Sequence, residues 1–382
     1  MEDIYIGGKK PRDNKPEPED IYITPRNRRR ETPVYEMYEA DDYMPESNGP
    51  SYDFDRFEPS EPEQEEQPPV KKPKKKKKGK FFRRIKAIVL TAVILLGVVT
   101  GMVYFTFSSV NYNETGHKKN VFLDNSELMQ SVSVKNILLI GVDRRNANDD
   151  SRSDTMLMLS VNTATRKILL TSFMRDTYVY IPEKQRNAKL NAACTWGGAQ
   201  MVMDTIEYNF GIKIDHYMLV DFTMFEDIIN GLGGVDVEIT EKEAKYMRDK
   251  VHLKNIQSGE NIHLNGKEAL WYCRIRALDS DFMRTKRQRK VMTALIEQVK
   301  KTNPVELYKL LGEIVGMIET DMSPETLTYL AMSGLLRYIH YDIEQGSIPA
   351  EGTWKSKKIS GQSVLSVDMA ANKEYLEEFI YE

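Results

Sequence analysis

The sequence predicts an α/β domain with a central mixed β-sheet flanked by helices, placed behind a disordered leader and one transmembrane helix. Three observations carry that prediction. The first segment is rich in Pro, Glu, Asp and Tyr without apolar periodicity, and a long uncharged run follows a basic block. Beyond them, short β-prone apolar runs alternate with segments of helical period.

Residues 1–86 are expected to be a cytoplasmic disordered tail, because their scattered apolar residues bury too little surface to offset ordering entropy. Within it Glu19-Asp20-Ile21-Tyr22-Ile23 repeats Glu2-Asp3-Ile4-Tyr5-Ile6, which reads either as a neutral duplication or as a docking motif for a cytoplasmic partner. Lys71 to Lys86 carries eleven basic residues and no acid, and Ala87 to Phe107 then runs for 21 residues without a charge. At about 1.5 Å per residue such a run spans a ~30 Å hydrocarbon core. A cleaved signal peptide would sit at the extreme N-terminus, so 87–107 is expected to stay as a single-pass anchor. The basic flank places the N-terminus in the cytoplasm and the following domain outside the cell membrane. Beside a membrane the lysine run fixes orientation and touches anionic lipid, and nucleic acid is not expected as a partner.

Residues 108–130 read as a polar stalk and 131–382 as one domain with a C-terminal helical part. Asn136 to Val142, Met156 to Asn162 and Lys167 to Met174 suit buried strands, as do His216 to Asp221 and, after the Gly233-Gly234 turn, Val235 to Ile239. Ala199 to Phe210, Phe225 to Leu232, Thr285 to Lys301, Pro304 to Ile318 and Pro324 to Arg337 read as helices.

The net charge of −3 averages an acidic, a basic and an apolar stretch and says little by itself. Two cysteines, Cys194 and Cys273, are too few for a disulfide framework or a zinc site, and core thiols are expected more than a bridge. The five histidines lack metal-ligand spacing, and GxSxG, HExxH, Walker and dinucleotide motifs are absent from the sequence.

Chemistry concentrates in three clusters. Asp143 leaves one apolar strand, while Arg152-Ser153-Asp154 enters the next, so two hard oxygen donors can meet at one sheet edge and suit Mg²⁺. Read alone, the same residues also describe a turn and a surface ion pair. Arg175-Asp176 follows the next strand, where an exposed pair is the plain alternative. Arg274, Arg276, Asp279, Asp281, Arg284, Arg287 and Gln288 fall within fifteen residues. Guanidinium forks match phosphate oxygens, and on a helix Arg284, Arg287 and Gln288 share a face near an N-terminus that favours anions. A solvated basic helix face accounts for that stretch equally well.

These residues, with Lys189-Leu190-Asn191-Ala192-Ala193 and Gly197-Gly198, occur in the order seen in the LytR–CpsA–Psr family, which the sequence resembles over roughly Val134 to Lys301. The resemblance implies an α/β domain that transfers a glycopolymer, such as teichoic acid or capsule, from an undecaprenyl-pyrophosphate carrier to the muramic acid 6-hydroxyl of peptidoglycan. It implies Mg²⁺, or Mn²⁺ in its place, on Asp143 and Asp154. It further implies pyrophosphate binding by Arg152, Arg175, Arg274, Arg276, Arg284, Arg287 and Gln288, and catalytic roles for Asp154, Arg152, Arg175 and Arg276. A tunnel between sheet and helices would take the lipid. Cys194, Cys273 and Met283 depart from residues common in the family, which bears on substrate shape. A membrane-anchored sensor, against which the presence of both aspartates argues, and a pyrophosphate hydrolase using the same clamp are the competing functions.

Overall fold

The computed structural model describes residues 78–113, 119–142 and 153–382, together with the backbone but not the side chain of Asn125, Asp154 and the first turn from Lys78. The duplicated pentapeptides, most of the leader, Asp143 and Arg152 lie outside the described residues. The described residues begin with α1 (Lys78–Phe107), of which Phe82–Phe107 is long and apolar enough to cross a membrane.

A seven-stranded mixed sheet organises the chain beyond α1. Its strands are β1 (Asn111–Tyr112), β2 (Val134–Val142), β3 (Ser153–Asn162), β4 (Lys167–Phe173), β7 (His216–Asp221), β10 (Glu319–Thr320) and β11 (Asp342–Ile348), in spatial order β1-β10-β7-β2-β3-β4-β11. β2 runs antiparallel to β3 and parallel to β7, and β11 closes the far edge parallel to β4. Between these come β5 (Tyr178–Ile181) paired with β6 (Arg186–Lys189), and β8 (Val235–Ile239) paired with β9 (Gly259–Leu264). The last pair is β12 (Trp354–Ile359) with β13 (Gln362–Val367). The helices are α2 (Asn191–Phe210), α3 (Phe222–Gly231), α4 (Glu241–Asp249), α5 (Gly266–Cys273), α6 (Asp281–Lys301), α7 (Pro304–Ile314), α8 (Pro324–Leu336) and α9 (Met369–Tyr381).

Alternation along β2 assigns the two faces of the sheet. Leu138, Ile140 and Val142 join Met156, Met158, Leu169 and Phe173 under α2 and α9. Ile137 and Leu139 face the opposite layer, where Val103 and Phe107 of α1 pack with Val315, Ile318, Met322 and Leu327. A separate core of Ile229, Val237, Ile239, Met247, Tyr272, Ile275 and Val291 joins α3, α4, α5 and α6 to the β8–β9 pair.

Strands 134–142, 216–221 and 235–239 and the long helix ending at Lys301 match the sequence expectations closely. Two segments differ. α2 starts at Asn191 and kinks at Gly197 and Gly198, where the φ of 64° at Gly198 suits glycine. Residues 119–130, read as a stalk, lie against the domain: Asn120 is buried and its amide donates to Glu207 Oε2 at 3.0 Å, while Met129 bridges to Ile212. Cys194 and Cys273 are free and buried.

α3 and α5 approach so closely at Gly266 that a Cβ there would stand 2.3 Å from the backbone oxygen of Glu226. Backbone cannot give way as a side-chain tip can, so Gly266→Ala is expected to destabilise the fold by about 2 kcal/mol. Gly312, with open space around it, serves as the control, since alanine there gains helix propensity worth about 0.5–1 kcal/mol. Thermal unfolding followed by circular dichroism checks both signs.

Candidate functional site

A cavity of about 430 Å³ opens at the end of β2 and β3 where Gly141 pairs with Thr155. It is lined by the polar Thr155, Asp221, Arg274, Arg276, Arg284 and Gln288 and by an apolar wall that includes Leu139, Leu157, Val220, Phe225 and Met292. Charged groups and an apolar wall in one cavity suit a ligand with a charged head and a greasy tail.

The loop after α5 presents two of the arginines. Asn265 and Glu268 form a reciprocal cap at the start of α5, and its last residue, Cys273, leads into Arg274. The Arg274 guanidinium lies 4.6 Å from the Phe222 ring and 5.1 Å from the Trp271 ring, which fixes its plane by cation–π attraction. Arg276 is exposed at the cavity rim. Arg284 stands in the first turn of α6, only 1% exposed, and donates to Asp281 Oδ2 at 3.2 Å. The same carboxylate lies 3.5 Å from Arg175 Nη2. Asp281 thus orients two guanidiniums, a positioning role. Asp176 in turn takes Lys189 at 2.7 Å, so the Lys189 motif residue anchors this corner of the fold. Phe282 stacks on Trp354 at 4.7 Å, which holds the head of α6 against β12.

Arg287 differs from the sequence expectation. It is 3% exposed and does not line the cavity. Its Nε donates to Glu243 at 2.6 Å, its Nη1 donates to the Ile275 carbonyl at 3.1 Å, and its fork also closes on Asp279. In place of gripping a diphosphate it ties the Arg274–Arg276 loop to α4 and α6. Burial works against its charge, but hydrogen bonds to Asp279 and Glu243 outweigh it and raise its pKa.

Gln288, one residue on, turns to the cavity and donates to Thr155 Oγ1 at 3.0 Å. Its Oε1 is buried without a partner among the described residues. Turning the amide over would let the Thr155 hydroxyl donate and present the NH₂ group to an anion.

The first strand pair cannot be described in full, since Asp143 and Arg152 lie outside the described residues and only the backbone of Asp154 is placed. Position 154 is the second residue of β3, at the register shift between the Gly141–Thr155 and Val142–Ser153 pairs, and position 143 follows the last residue of β2 in the chain. Carboxylates are the hard oxygen donors that a dication bound with phosphate takes. Among the described residues no cluster of three His, Cys, Asp or Glu could hold a metal. Asp221, level with Val142, is engaged as the α3 cap and accepts from Met224 N at 2.8 Å.

Sequence reasoning missed Phe222 and Trp271, and the resemblance implied a tunnel without naming the residues of the apolar wall. Trp271, three residues before Arg274, was the one local signal available. A second cleft, of about 250 Å³ beside α9, is lined by Lys167, Glu344, Glu378 and Glu382. Its lysine is already paired with Glu344 at 2.9 Å, so it offers nothing comparable to an anion.

Beside the cavity the Cys273 thiol is pushed up to about 12, chiefly by burial, with Arg287 and Arg284 working against the shift. A protonated, buried thiol is inert. Iodoacetamide at neutral pH is expected to leave both cysteines unmodified in the folded protein and to alkylate both after denaturation, as intact-mass measurement will show.

The fold is an α/β domain whose cavity joins arginines to an apolar wall. The LytR_cpsA_psr family matches residues 99–379, and the chain belongs to that family. Among its relatives is the polyisoprenyl-teichoic acid–peptidoglycan teichoic acid transferase TagU of Enterococcus faecalis, 31% identical over 224 residues, or 57% of this chain and 70% of that protein. The protein of the same name from Bacillus cereus is 38% identical over 188 residues, 49% of this chain and 58% of the relative. Among solved structures, TagT bound to LIIa-WTA superposes with a TM-score of 0.57 at 23% identity, covering 70% of this chain and 98% of that one. The TagT (YwtF) structure with bound octaprenyl pyrophosphate lipid superposes with a TM-score of 0.52 at 22% identity, covering 66% of this chain and 95% of that one. At these identities the structures share the fold.

Proposed function

We propose that the protein is a membrane-anchored phosphotransferase that moves a glycopolymer from an undecaprenyl-pyrophosphate carrier to the muramic acid 6-hydroxyl of peptidoglycan outside the cell. The observation that carries this reading is the cavity in which Arg274, Arg276 and Arg284 meet an apolar wall. The transferase names of the relatives and the polyprenyl pyrophosphate bound in a TagT structure support it. The basic flank before α1 supports a cytoplasmic N-terminus.

In this reading Arg274, Arg276 and Arg284 hold the pyrophosphate, Gln288 offers its amide, and Leu139, Leu157, Val220, Phe225 and Met292 receive the prenyl chain. The acceptor hydroxyl oxygen bonds to the glycan-side phosphorus as the bridging P–O bond breaks, and its electron pair leaves with polyprenyl phosphate. Arginines aimed at the bridge offset the charge that develops there. A carboxylate takes the hydroxyl proton. Asp281 is engaged by Arg284 and Arg175, which leaves Asp154 as the candidate for that role. Asp143 and Asp154 would hold Mg²⁺, or Mn²⁺, which would neutralise phosphate charge when bound.

The test incubates the full-length protein with a short lipid-pyrophosphate glycan, Mg²⁺ and peptidoglycan oligomers, and weighs the oligomers by mass spectrometry. Glycan phosphate attached by wild type and lost in Asp154→Ala and Arg276→Ala, both shown to fold, establishes the transferase. Free glycan phosphate without attachment points to a hydrolase, and binding without turnover to a sensor.

A further inference from the structure

Outside α1, the described large apolar side chains more than half exposed are Val121, Val132, Val305, Tyr329 and Leu336, and three of these five lie on α7 and α8. The same two helices grip the end of α1. Thr106 Oγ1 donates to Tyr308 Oη at 3.1 Å, and Tyr104 Oη donates to Glu325 Oε1 at 3.2 Å. Val103 and Phe107 are buried against Val315, Ile318 and Leu327.

Depth follows from helix geometry. Val103 lies four residues before Phe107, about 6 Å back along the axis, inside the uncharged run. Whatever touches Val103 to Thr106 from the side therefore stands level with the last turn of the span. Val305 precedes Tyr308 by three residues, and Tyr329 follows Glu325 by four, with Met332 and Leu336 continuing the stripe. Residues at these spacings share a helix face, so the exposed apolar side chains extend the surface that holds α1.

We propose that the Val305–Tyr308 stripe of α7 and the Tyr329–Leu336 stripe of α8 rest in the headgroup–acyl boundary of the bilayer, docking the domain on the lipid surface. This rests on the reading that α1 crosses the membrane. Aliphatic residues with tyrosine are the side chains that settle at such a boundary. An anchor alone would leave the domain free to swing, whereas docking fixes which side faces the lipid.

The experiment uses the full-length chain in nanodiscs of phosphatidylethanolamine and phosphatidylglycerol. Val305→Cys, Tyr329→Cys and Leu336→Cys each carry an environment-sensitive fluorophore, with Phe105→Cys as lipid reference and the exposed Lys357→Cys as water reference. The native cysteines are buried and do not compete. Replacing the lipid with acyl-brominated lipid is expected to quench the three test sites to an extent close to Phe105→Cys, and to leave Lys357→Cys unchanged. Test sites that behave like Lys357→Cys while Phe105→Cys is quenched overturn the docking and leave the span intact. A Phe105→Cys label that is not quenched overturns the span reading and the docking with it. Shifts that need several copies per disc and ignore bromine show a surface between copies, which also overturns the proposal.

Discussion

Arg276→Ala is expected to lower kcat/KM for glycan-phosphate transfer by about 10²–10³-fold with little change in thermal stability. Arg276 is exposed at the cavity rim, so truncation removes a charge without opening a core. In the proposed reaction its guanidinium meets charge that grows as the bridging bond breaks, and such a contact is worth more at the transition state than in the bound substrate. Arg276→Lys restores charge but not the planar fork, and a partial recovery is the expected result. Steady-state kinetics with the short lipid donor, alongside thermal unfolding of each variant, checks this. Unchanged kcat/KM would remove Arg276 from the site.

Arg287→Ala is expected to act in the opposite way, lowering stability by about 3–5 kcal/mol, with loss of transfer following from it. The substitution leaves Glu243 buried without its cation. Glu243 also closes the α4 cap, accepting from Thr240 N at 2.8 Å and Thr240 Oγ1 at 2.7 Å through Oε2, while its Oε1 accepts from Arg287. Ile275 O and Asp279 lose their donor as well, so the loop carrying Arg274 and Arg276 loosens. The pH dependence has a definite sign. Burial raises the pKa of Glu243, but the hydrogen bonds from Thr240 and Arg287 outweigh it and leave it below the ordinary value. A depressed carboxylate contributes stability that is present above its unfolded pKa and is lost as pH falls through the folded one. Wild type is therefore expected to lose this contribution only in acid, below the ordinary glutamate range. In Arg287→Ala one of the bonds that lower it is gone, so the contribution is smaller and the fall in stability with acid is shallower. Urea unfolding across about pH 3–7, bracketing the usual carboxylate range, measures it.

The Arg284–Arg287–Gln288 trio shows what one sequence discloses and what it withholds. At about 100° per residue, position 287 falls about 60° short of a full turn from 284, and 288 about 40° beyond it. Both sit near Arg284 on the helix face, as the spacing indicated, but on opposite flanks. Gln288 meets Thr155 on β3, while Arg287 meets Glu243, which comes from a helix far earlier in the chain. Only the packing of α4 against α6 decides between the flanks. The central strands were legible because β2 and β4 are buried apolar runs. β9 and β12 were not, since their sequences GENIHL and WKSKKI are mostly exposed and carry no apolar run. Which residues line the apolar wall was not legible for a related reason, as a Leu or Met lining a cavity has the same local pattern as one in a core.

The most direct measurement tracks the carrier itself: the polyprenyl product is identified by mass spectrometry in reactions run with and without peptidoglycan oligomer. Polyprenyl monophosphate released one for one with glycan phosphate gained by the oligomer, and intact carrier when the oligomer is omitted, is the expected result. Release of polyprenyl pyrophosphate would place the broken bond at the sugar carbon, and monophosphate release at the same rate without acceptor would make water the nucleophile. Either outcome contradicts phosphoryl transfer to peptidoglycan.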